Sequence, residues 1–287
     1  MRLKELLRKY LSEEEVKYAP SSFDIIGTRE KAVAIVEIPP ELEDKKLLVA
    51  KAIMEIHKNV KTVLKKLSTR KGEYRIRDYE ILLGDPVTEV VHKEHGYLLK
   101  LDPTKVYFSP REATERQRVA VQVRPGEYVM LMFAGVGPYA FAILKHQPHV
   151  DKIIAIELNP IAYKYLLENV KLNKAEGKVI PVLGDVREKA SQFYGLCDRV
   201  IMPLPRGAYL FLKEAFYCLK PEGGIVHIYH WAPEERPYDE IGRIIHEEAS
   251  KYGFEVQILN RRKVLPYAPR IVKVCVEFKA RKILKTS

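Results

Sequence analysis

The segment FAGVGP (residues 133–138) is the strongest chemical signal in the sequence. It follows the apolar run 128–133 and precedes a predicted helix. Its glycines therefore allow a close backbone approach to a ligand, and the helix start offers free N–H groups. Two acids, Glu157 and Asp185, end the next two predicted strands, where one carboxylate can bind a ribose diol and the other side chain an adenine edge. The set predicts a nucleoside ligand at the carboxyl ends of the strands.

The kind of nucleoside is narrowed by two further features. The loop lacks the third glycine of a dinucleotide-binding fingerprint. The last two predicted strands, 254–265 and 270–280, are close enough in sequence to pair as an antiparallel hairpin, which argues against a dehydrogenase. S-adenosylmethionine therefore fits better than a dinucleotide. The alternative is a tight strand-to-helix turn flanked by surface acids.

The elements that position these residues follow an alternating pattern after residue 110. Predicted strands cover 128–133, 152–158, 178–185, 198–204, 223–230, 254–265 and 270–280, and predicted helices start at 138 or cover 160–173 and 238–252. Apolar strands separated by helices are typical of a doubly wound α/β sheet with helices on both sides. Residues 1–110 instead show short strands, broken by turn residues, around one helix at 44–57. We expect a small α+β domain at 1–110 and a ligand-binding domain at 111–287.

Composition restricts the class of protein. The chain has 287 residues, a net charge of +11 and three cysteines, which are too few for a disulfide framework. It has no apolar run of the roughly 20 residues that a membrane helix needs, and its first ten residues lack a signal-peptide core. We therefore expect a cytoplasmic protein with no membrane partner. The positive charge favours an anionic macromolecular partner over a merely solvated basic surface.

Several stretches of the chain carry a family resemblance. They are FAGVGP, IELNP followed by AYKYLLENVKLNK, DRVIM, KVYFSPREATERQRV, GEYRIRDYEILLG followed by TEVVHKEHGYLLKLD, and KVLPYAPRIVKVCVEF. They resemble segments of the archaeal and eukaryotic tRNA (guanine-37-N1)-methyltransferases, over roughly residues 45–280. The resemblance implies a class I methyltransferase fold with an antiparallel C-terminal hairpin. It also implies S-adenosylmethionine as methyl donor and N1 of guanosine 37 in the tRNA anticodon loop as target.

The resemblance places three catalytic residues. Glu115 falls where the family has its general base, and a carboxylate there can accept the proton that guanine N1 carries. Arg75 matches an arginine set against the target guanine, whose O6 suits a guanidinium fork. Tyr107 matches a tyrosine near the methyl donor and the base. Without a catalytic role, Glu115 would be a surface acid, Arg75 one exposed cation among many and Tyr107 a half-buried strand aromatic.

The resemblance also implies a set of residues for S-adenosylmethionine. They are Arg116, Phe133, Gly135, Gly137, Glu157, Asp185 and Pro203. For Arg116, contact with the guanosine or its phosphate and a salt bridge on the helix face are open alternatives.

Two positions depart from the family pattern. The family ends its first core strand with an aspartate where this chain has Leu131, and it carries Asn-Pro-Pro or Asn-Leu-Pro where this chain has Pro203-Leu204-Pro205. Asparagine can donate and accept hydrogen bonds at a base edge, whereas proline can do neither. Either the target base is bound differently or the base is different. The alternatives are therefore a wyosine precursor at position 37, modified by C7 methylation or aminocarboxypropyl transfer, and a catalytically silent tRNA-binding paralogue.

Recognition of the tRNA anticodon stem-loop is expected to rest on two basic clusters. They contain Lys61, Lys65, Lys66, Arg70, Lys71, Arg75 and Arg77, with Tyr74 and Tyr79 between them, and, near the C-terminus, Arg261, Arg262 and Lys263. Aromatic and basic residues together suit unpaired bases. Any single lysine fits a solvated face better, so the prediction rests on the clustering. His227 and His230 point to opposite faces of a predicted strand, so no metal site is predicted. We expect a monomer.

Overall fold

The computed structural model of the chain describes residues 2–69, 72 and 74–283. Its backbone contacts divide it into two compact units, Met1–Arg111 and Glu112–Ser287. In the described residues no helix is both long enough and apolar enough to cross a bilayer.

The N-terminal unit is an α+β module. Its elements are α1 (Leu3–Leu7), α2 (Glu13–Tyr18), β1 (Asp24–Gly27), β2 (Ala32–Val36), α3 (Lys46–Ile56), β3 (Val60–Lys66), β4 (Tyr79–Gly84), β5 (Val90–Glu94) and β6 (Tyr97–Leu101). The strands form a sheet of order β1-β2-β3-β4 and a separate β5-β6 pair. Strand β2 is buried along its whole length, as its run of Ala, Val and Ile predicts. Helix α3 connects the parallel strands β2 and β3.

One predicted strand of this unit is shorter than the sequence suggests. The run 73–84 was expected to be extended, but β4 begins only at Tyr79. Arg75 has a φ of 55° and lies in a turn. A left-handed residue cannot continue a strand, so the backbone turns before the pairing with β3 begins.

The C-terminal unit is a doubly wound α/β sheet. Its elements are α4 (Ala113–Ala120), β7 (Tyr128–Met132), α5 (Pro138–His146), β8 (Lys152–Glu157), α6 (Pro160–Leu172), β9 (Val179–Leu183), α7 (Val186–Lys189), β10 (Arg199–Met202), α8 (Leu212–Cys218), β11 (Gly224–Pro233), α9 (Asp239–Tyr252), β12 (Phe254–Ala268) and β13 (Ile271–Lys282). The sheet order is β12-β13-β11-β10-β7-β8-β9, and β13 is antiparallel to both of its neighbours. This confirms the predicted class I methyltransferase architecture with its terminal hairpin.

Helices cover both faces of this sheet. Tyr229 of β11 donates a hydrogen bond to Glu115 of α4, while the adjacent Ile228 belongs to an apolar cluster with Ile241 and Ile245 of α9. Successive strand residues point to opposite faces, so α4 and α9 lie on opposite sides of the sheet.

The terminal hairpin has longer strands than predicted. Residues 266–269 were expected to form the turn, but β12 continues to Ala268, and Pro266 pairs with Val272. β12 is an edge strand, where a proline is tolerated because no partner needs its missing N–H. The register shifts between Lys263 and Leu265 and again between Pro266 and Ala268.

Candidate active site

The turn after β7 has the backbone that the sequence motif requires. Phe133, Gly135 and Gly137 have φ values of 56°, 57° and 93°. A Cβ on Gly137 would lie 2.6 Å from side-chain atoms of Leu166 and Phe141, so only glycine fits there. Helix α5 then begins at once with Pro138, which suits the first helical position because an N–H there would have no partner within the helix.

Glu157 is fixed by backbone donors at the end of β8. Its Oε2 accepts the N–H of Gly135 at 2.6 Å, and its Oε1 accepts the N–H of Asn159 at 2.8 Å. Burial raises the pKa of this carboxyl, and the two N–H donors oppose the shift. Each oxygen retains a lone pair for a ribose hydroxyl. The glycine turn and the oriented carboxylate therefore fit the nucleoside part of S-adenosylmethionine.

Further predicted ligand-binding residues follow β7, β9 and β10, at the same sheet edge as Glu157. Asp185 caps α7 by accepting the N–H of Arg187 at 2.8 Å. Phe133 packs edge-on against Phe211 at a centroid distance of 4.9 Å. Pro203 follows β10 and is partly exposed, which leaves an apolar surface at this position. The carboxyl ends of neighbouring parallel strands meet at one sheet edge, so these residues share the Glu157 region.

Leu131, which stands where the family has an aspartate, is a core residue of the sheet. It is fully buried within β7 and pairs in register with Ala155 and Ile201 on the two neighbouring strands. The side chain therefore adds to the core of the sheet and offers no polar atom to a ligand.

Glu115 is buried rather than a surface acid. It is 5% exposed on α4. Its carboxylate accepts hydrogen bonds from Arg118 Nε at 2.8 Å and Nη2 at 2.7 Å, and from the Tyr229 hydroxyl at 2.7 Å. Burial raises the pKa of Tyr229, so its hydroxyl stays protonated and can donate. The Nε of Arg262, an exposed residue of β12, lies 3.7 Å from Glu115 Oε2.

A chain of buried charged residues continues from Glu115 along the sheet. Arg118 Nη1 donates to Glu277, whose Oε1 lies 3.4 Å from His227 Nδ1. Arg199 Nη1 contacts His227 Nε2 at 2.7 Å, and Arg199 also pairs with Glu127 at 2.7 Å. These residues come from α4, β10, β11 and β13 and from the turn before β7. They form one ion network under the Glu115 carboxylate.

Three members of this network, Arg118, His227 and Glu277, have shifted pKa values. Burial opposes ionisation of Glu277, but His227 and Arg118 together hold the pKa of that carboxyl below its ordinary value. Burial lowers the pKa of His227, which favours the neutral ring. The pKa of Arg118 is raised by Glu115 and Glu277 in spite of its burial. Glu277 therefore remains an anion between two cationic or polar donors.

One group of described residues has the donor spacing of a metal site. His227, Cys275 and Glu277 have ligand atoms within 4.8 Å of one another. The guanidinium groups of Arg118 and Arg199 already contact the glutamate and the histidine. A positively charged neighbour on two of three donors disfavours a further cation. His230 faces the opposite side of the sheet, where it contacts Glu240 of α9 at 3.2 Å, as predicted.

The N-terminal unit brings two of the predicted catalytic residues together. The Arg75 guanidinium lies 5.7 Å from the centre of the Tyr107 ring, although 31 residues separate the two in sequence. Both side chains are partly exposed. Arg116, in the C-terminal unit, is only 2% exposed. The Arg116 side chain is therefore less accessible to a ligand than the sequence suggested.

The predicted basic clusters differ in how exposed they are. Lys65 is paired with Glu43 at 2.5 Å, and its side chain is 13% exposed. Burial lowers the pKa of Lys66. These two lysines are therefore not the free surface cations that the sequence suggested, and Arg70 and Lys71 lie outside the described residues. The C-terminal cluster, Arg261 to Lys263, is exposed along β12.

Comparison with known proteins places this geometry in a family. The model of the TRM5/TYW2 methyltransferase domain matches residues 90–259, and that of the TYW2 N-terminal domain matches residues 3–88. The chain belongs to the TRM5/TYW2 methyltransferase family. The family resemblance of the sequence is thereby confirmed. The boundary between the two family domains precedes the boundary between the compact units by about one β-hairpin.

Relatives from both branches of the TRM5/TYW2 family are similar to the chain. A tRNA (guanine(37)-N(1))-methyltransferase Trm5b of Pyrococcus abyssi is 44% identical over 92% of this chain and 76% of the relative. A tRNA(Phe) (4-demethylwyosine(37)-C(7)) aminocarboxypropyltransferase of Pyrococcus horikoshii is 36% identical over 97% of this chain and 96% of the relative.

Solved structures of the TRM5/TYW2 family show the same fold. The crystal structure of P. abyssi Trm5b matches with a TM-score of 0.83 at 43% identity, covering 94% of this chain and 78% of that one. P. horikoshii TYW2 in complex with MeSAdo matches with a TM-score of 0.80 at 32% identity, covering 98% of both chains.

The structure also reveals partners of Glu115 that the sequence analysis did not identify. They are Arg118, Tyr229 and Arg262, and Glu277 is in turn a partner of Arg118. A signal for Glu277 was present, because Lys273, Cys275 and Glu277 alternate along an otherwise apolar strand. Charged residues on one face of a buried strand require charged or hydrogen-bonding partners.

Proposed function

We propose that the chain transfers a methyl group from S-adenosylmethionine to N1 of guanosine 37 in the tRNA anticodon loop. The observation that carries this proposal is Glu115, a buried carboxylate oriented by Arg118 and Tyr229 in the same unit as the glycine turn and Glu157. The relatives from P. abyssi and Methanocaldococcus jannaschii that are named Trm5b support the choice of base and atom.

The residues at the strand ends support S-adenosylmethionine as the donor. We assign the ribose to Glu157, the adenine to Asp185 and the backbone cradle to Gly135 and Gly137. Phe133 and Pro203 line the apolar part of the same edge. A related structure, M. jannaschii TYW2, contains AdoMet, which agrees with this assignment.

Glu115 has the geometry of a proton acceptor. When bound, S-adenosylmethionine supplies an electrophilic methyl group, and its sulfur takes the electrons of the broken carbon–sulfur bond. Guanine N1 forms the new bond to carbon, and its proton passes to the Glu115 carboxylate. Arg118 has a second acceptor in Glu277, so the guanidinium remains paired when Glu115 becomes neutral.

We assign binding of the RNA to both units. Residues 1–110 are proposed to help clamp the tRNA and to contact the target guanosine through Arg75 and Tyr107. The exposed cations of β12 suit the phosphates of the anticodon stem-loop. We place the enzyme in the cytoplasm as a monomer, where its three free, buried cysteines match a reducing compartment.

A second candidate is modification of a wyosine precursor at position 37. The observation in its favour is Pro203, which lacks the hydrogen-bonding groups of the family's asparagine. A relative from Saccharolobus solfataricus is named a tRNA 4-demethylwyosine(37)-methyltransferase, and one from Nanoarchaeum equitans is named a tRNA (guanine(37)-N(1))/4-demethylwyosine(37)-methyltransferase. The P. horikoshii relative is named an aminocarboxypropyltransferase.

Product analysis separates the candidates. The protein is incubated with S-adenosylmethionine and an unmodified tRNA transcript carrying G37, and the digested nucleosides are identified by mass and retention. One added methyl group in 1-methylguanosine, with S-adenosylhomocysteine as co-product, is the expected result. A product only with tRNA carrying 4-demethylwyosine supports the second candidate. The mass gain and the sulfur co-product then distinguish methyl from aminocarboxypropyl transfer. No product with either RNA contradicts both enzymatic functions.

A further inference from the structure

The single tryptophan of the chain forms a stacked pair with a tyrosine at the ligand end of the sheet. Trp231 of β11 and Tyr267 of β12 have ring centroids 3.9 Å apart and an interplanar angle of 23°. Tyr267 is 48% exposed. The pair therefore presents an aromatic surface to solvent.

This pair lies on the same face of the sheet as Glu115. Trp231 is two residues beyond Tyr229, whose hydroxyl donates to Glu115. Alternate residues of a strand share a face, and two residues span about 7 Å. The backbone N–H of Trp231 also donates to the carbonyl of Pro205 at 3.1 Å, which joins this part of β11 to the loop where proline replaces the family's asparagine.

Exposed cations lie on the hairpin that carries Tyr267. Arg261, Arg262, Lys263 and Arg270 are exposed on the same hairpin. Arg262 reaches to 3.7 Å from Glu115 Oε2, and Lys263 has a loose ion pair with Glu234 at 3.8 Å. Cations that meet phosphates, combined with aromatic rings that stack on bases, are typical of surfaces that bind single-stranded RNA.

We propose that Trp231 and Tyr267 form a stacking platform for an unpaired base of the anticodon loop, the neighbour of the base that is methylated. This inference rests on the proposed function. Along β11 the pair lies two residues beyond Tyr229, which contacts Glu115, so it suits a flanking base rather than the reacting one. Arg262, which lies on the same face, meets a phosphate of that nucleotide. Stacking needs no hydrogen-bonding edge, so the platform offsets the contact that is missing at Pro203.

Trp231 is itself the probe for this platform. An anticodon stem-loop RNA is titrated into the protein while tryptophan fluorescence is recorded. Wild-type protein is expected to show a saturable change in emission. Tyr267→Ala is expected to weaken RNA affinity by about 5- to 100-fold, because a stacked base contributes about 1–3 kcal/mol. Tyr267→Phe keeps the ring and is expected to retain the affinity.

A matched control is Tyr194→Ala. Tyr194 is also exposed and also stacked on an aromatic partner, Tyr217, at 5.4 Å. It follows α7, at a distance in sequence from the basic hairpin. Its loss should leave RNA affinity unchanged. An RNA that lacks the base on one side of the target should remove the difference between wild type and Tyr267→Ala.

The outcomes separate the platform from the function. Equal RNA affinity of wild type and Tyr267→Ala, with methylated product from both, overturns the platform and leaves the proposed function standing. A loss of affinity that is the same with and without the flanking base assigns Tyr267 a structural role and also overturns the platform. RNA binding that depends on Tyr267 without any modified nucleoside supports the platform and contradicts the proposed function. Absence of RNA binding by the wild type contradicts both.

Discussion

The two carboxylates of the proposed active site are held by different means. Glu157 is fixed by the backbone N–H groups of Gly135 and Asn159, which are close to it in the fold of a single βαβ unit. Glu115 is fixed by side chains of Arg118 and Tyr229, which come from a helix and a distant strand. Backbone donors persist through substitution by any residue other than proline, whereas side-chain donors are lost when their residue is replaced. We call the residues around Glu157 the cofactor half of the site and the residues around Glu115 the base half. The cofactor half should therefore tolerate mutation of its neighbours better than the base half.

Loss of the Glu115 carboxylate should have the largest effect. Glu115→Gln keeps the size of the side chain but removes the proton acceptor, so kcat should fall by about 10²- to 10⁴-fold. Single-turnover methylation of a G37 transcript measures this. Affinity for tRNA and for S-adenosylmethionine should change little. A variant that turns over as fast as the wild type would remove the general-base assignment.

Loss of the Glu157 carboxylate should affect binding instead of turnover. Glu157→Ala removes the acceptor proposed for the ribose. It should weaken S-adenosylmethionine by about 10- to 100-fold, as expected for hydrogen bonds to a charged group. Calorimetric titration measures Kd, and Glu115→Gln serves as the control with unchanged Kd. Equal weakening in both variants would erase the distinction between the two halves.

The ion network beneath Glu115 should couple stability to pH. The folded-state pKa of Glu277 is depressed, so the folded protein binds fewer protons than the unfolded chain as pH falls below about 5. The stabilisation is present above the unfolded pKa near 4.3 and is lost progressively as pH falls toward the folded value. Glu277→Gln should cost about 1–3 kcal/mol at pH 7 and flatten this dependence.

Urea unfolding at pH 7 and pH 4 tests this coupling. The difference between wild type and Glu277→Gln should be large at pH 7 and smaller at pH 4. Glu247→Gln is the control, because Glu247 forms only an exposed pair with Arg243 on α9. A difference that is the same at both pH values would show that Glu277 does not titrate as proposed.

The sequence predicts the cofactor half more completely than the base half for a physical reason. The glycine turn and Glu157 belong to consecutive strand–helix units, so their contacts follow from local pattern and from the rule that parallel strands end at one edge. The network of Glu115 depends on the register that places Tyr229 opposite Cys275. Hydrophobic periodicity alone does not set that register between strands far apart in sequence.

The N-terminal unit shows the same limit. The apolar run of β2 predicted a buried strand correctly. The polar segment before Tyr79 carried strand-forming residues, yet Arg75 takes a left-handed conformation and approaches Tyr107. The strand-forming residues of this segment therefore do not by themselves set its backbone conformation.

Substitution of Arg262 should give the smallest effect of these variants. Arg262 is an exposed side chain close to the Glu115 carboxylate. It is half exposed and lies 3.7 Å from Glu115, so the ion pair between them is weak in water. Its main contribution should be one phosphate contact. Arg262→Ala should lower tRNA affinity and reduce the slope of log affinity against log salt by about 0.7–0.9. Filter binding between low and moderate salt measures the slope, with Arg243→Ala on α9 as a control of equal charge change. An unchanged slope would show that Arg262 interacts with Glu115 and not with the RNA backbone. Arg262 would then be one more side chain that positions Glu115, although it lies at the protein surface.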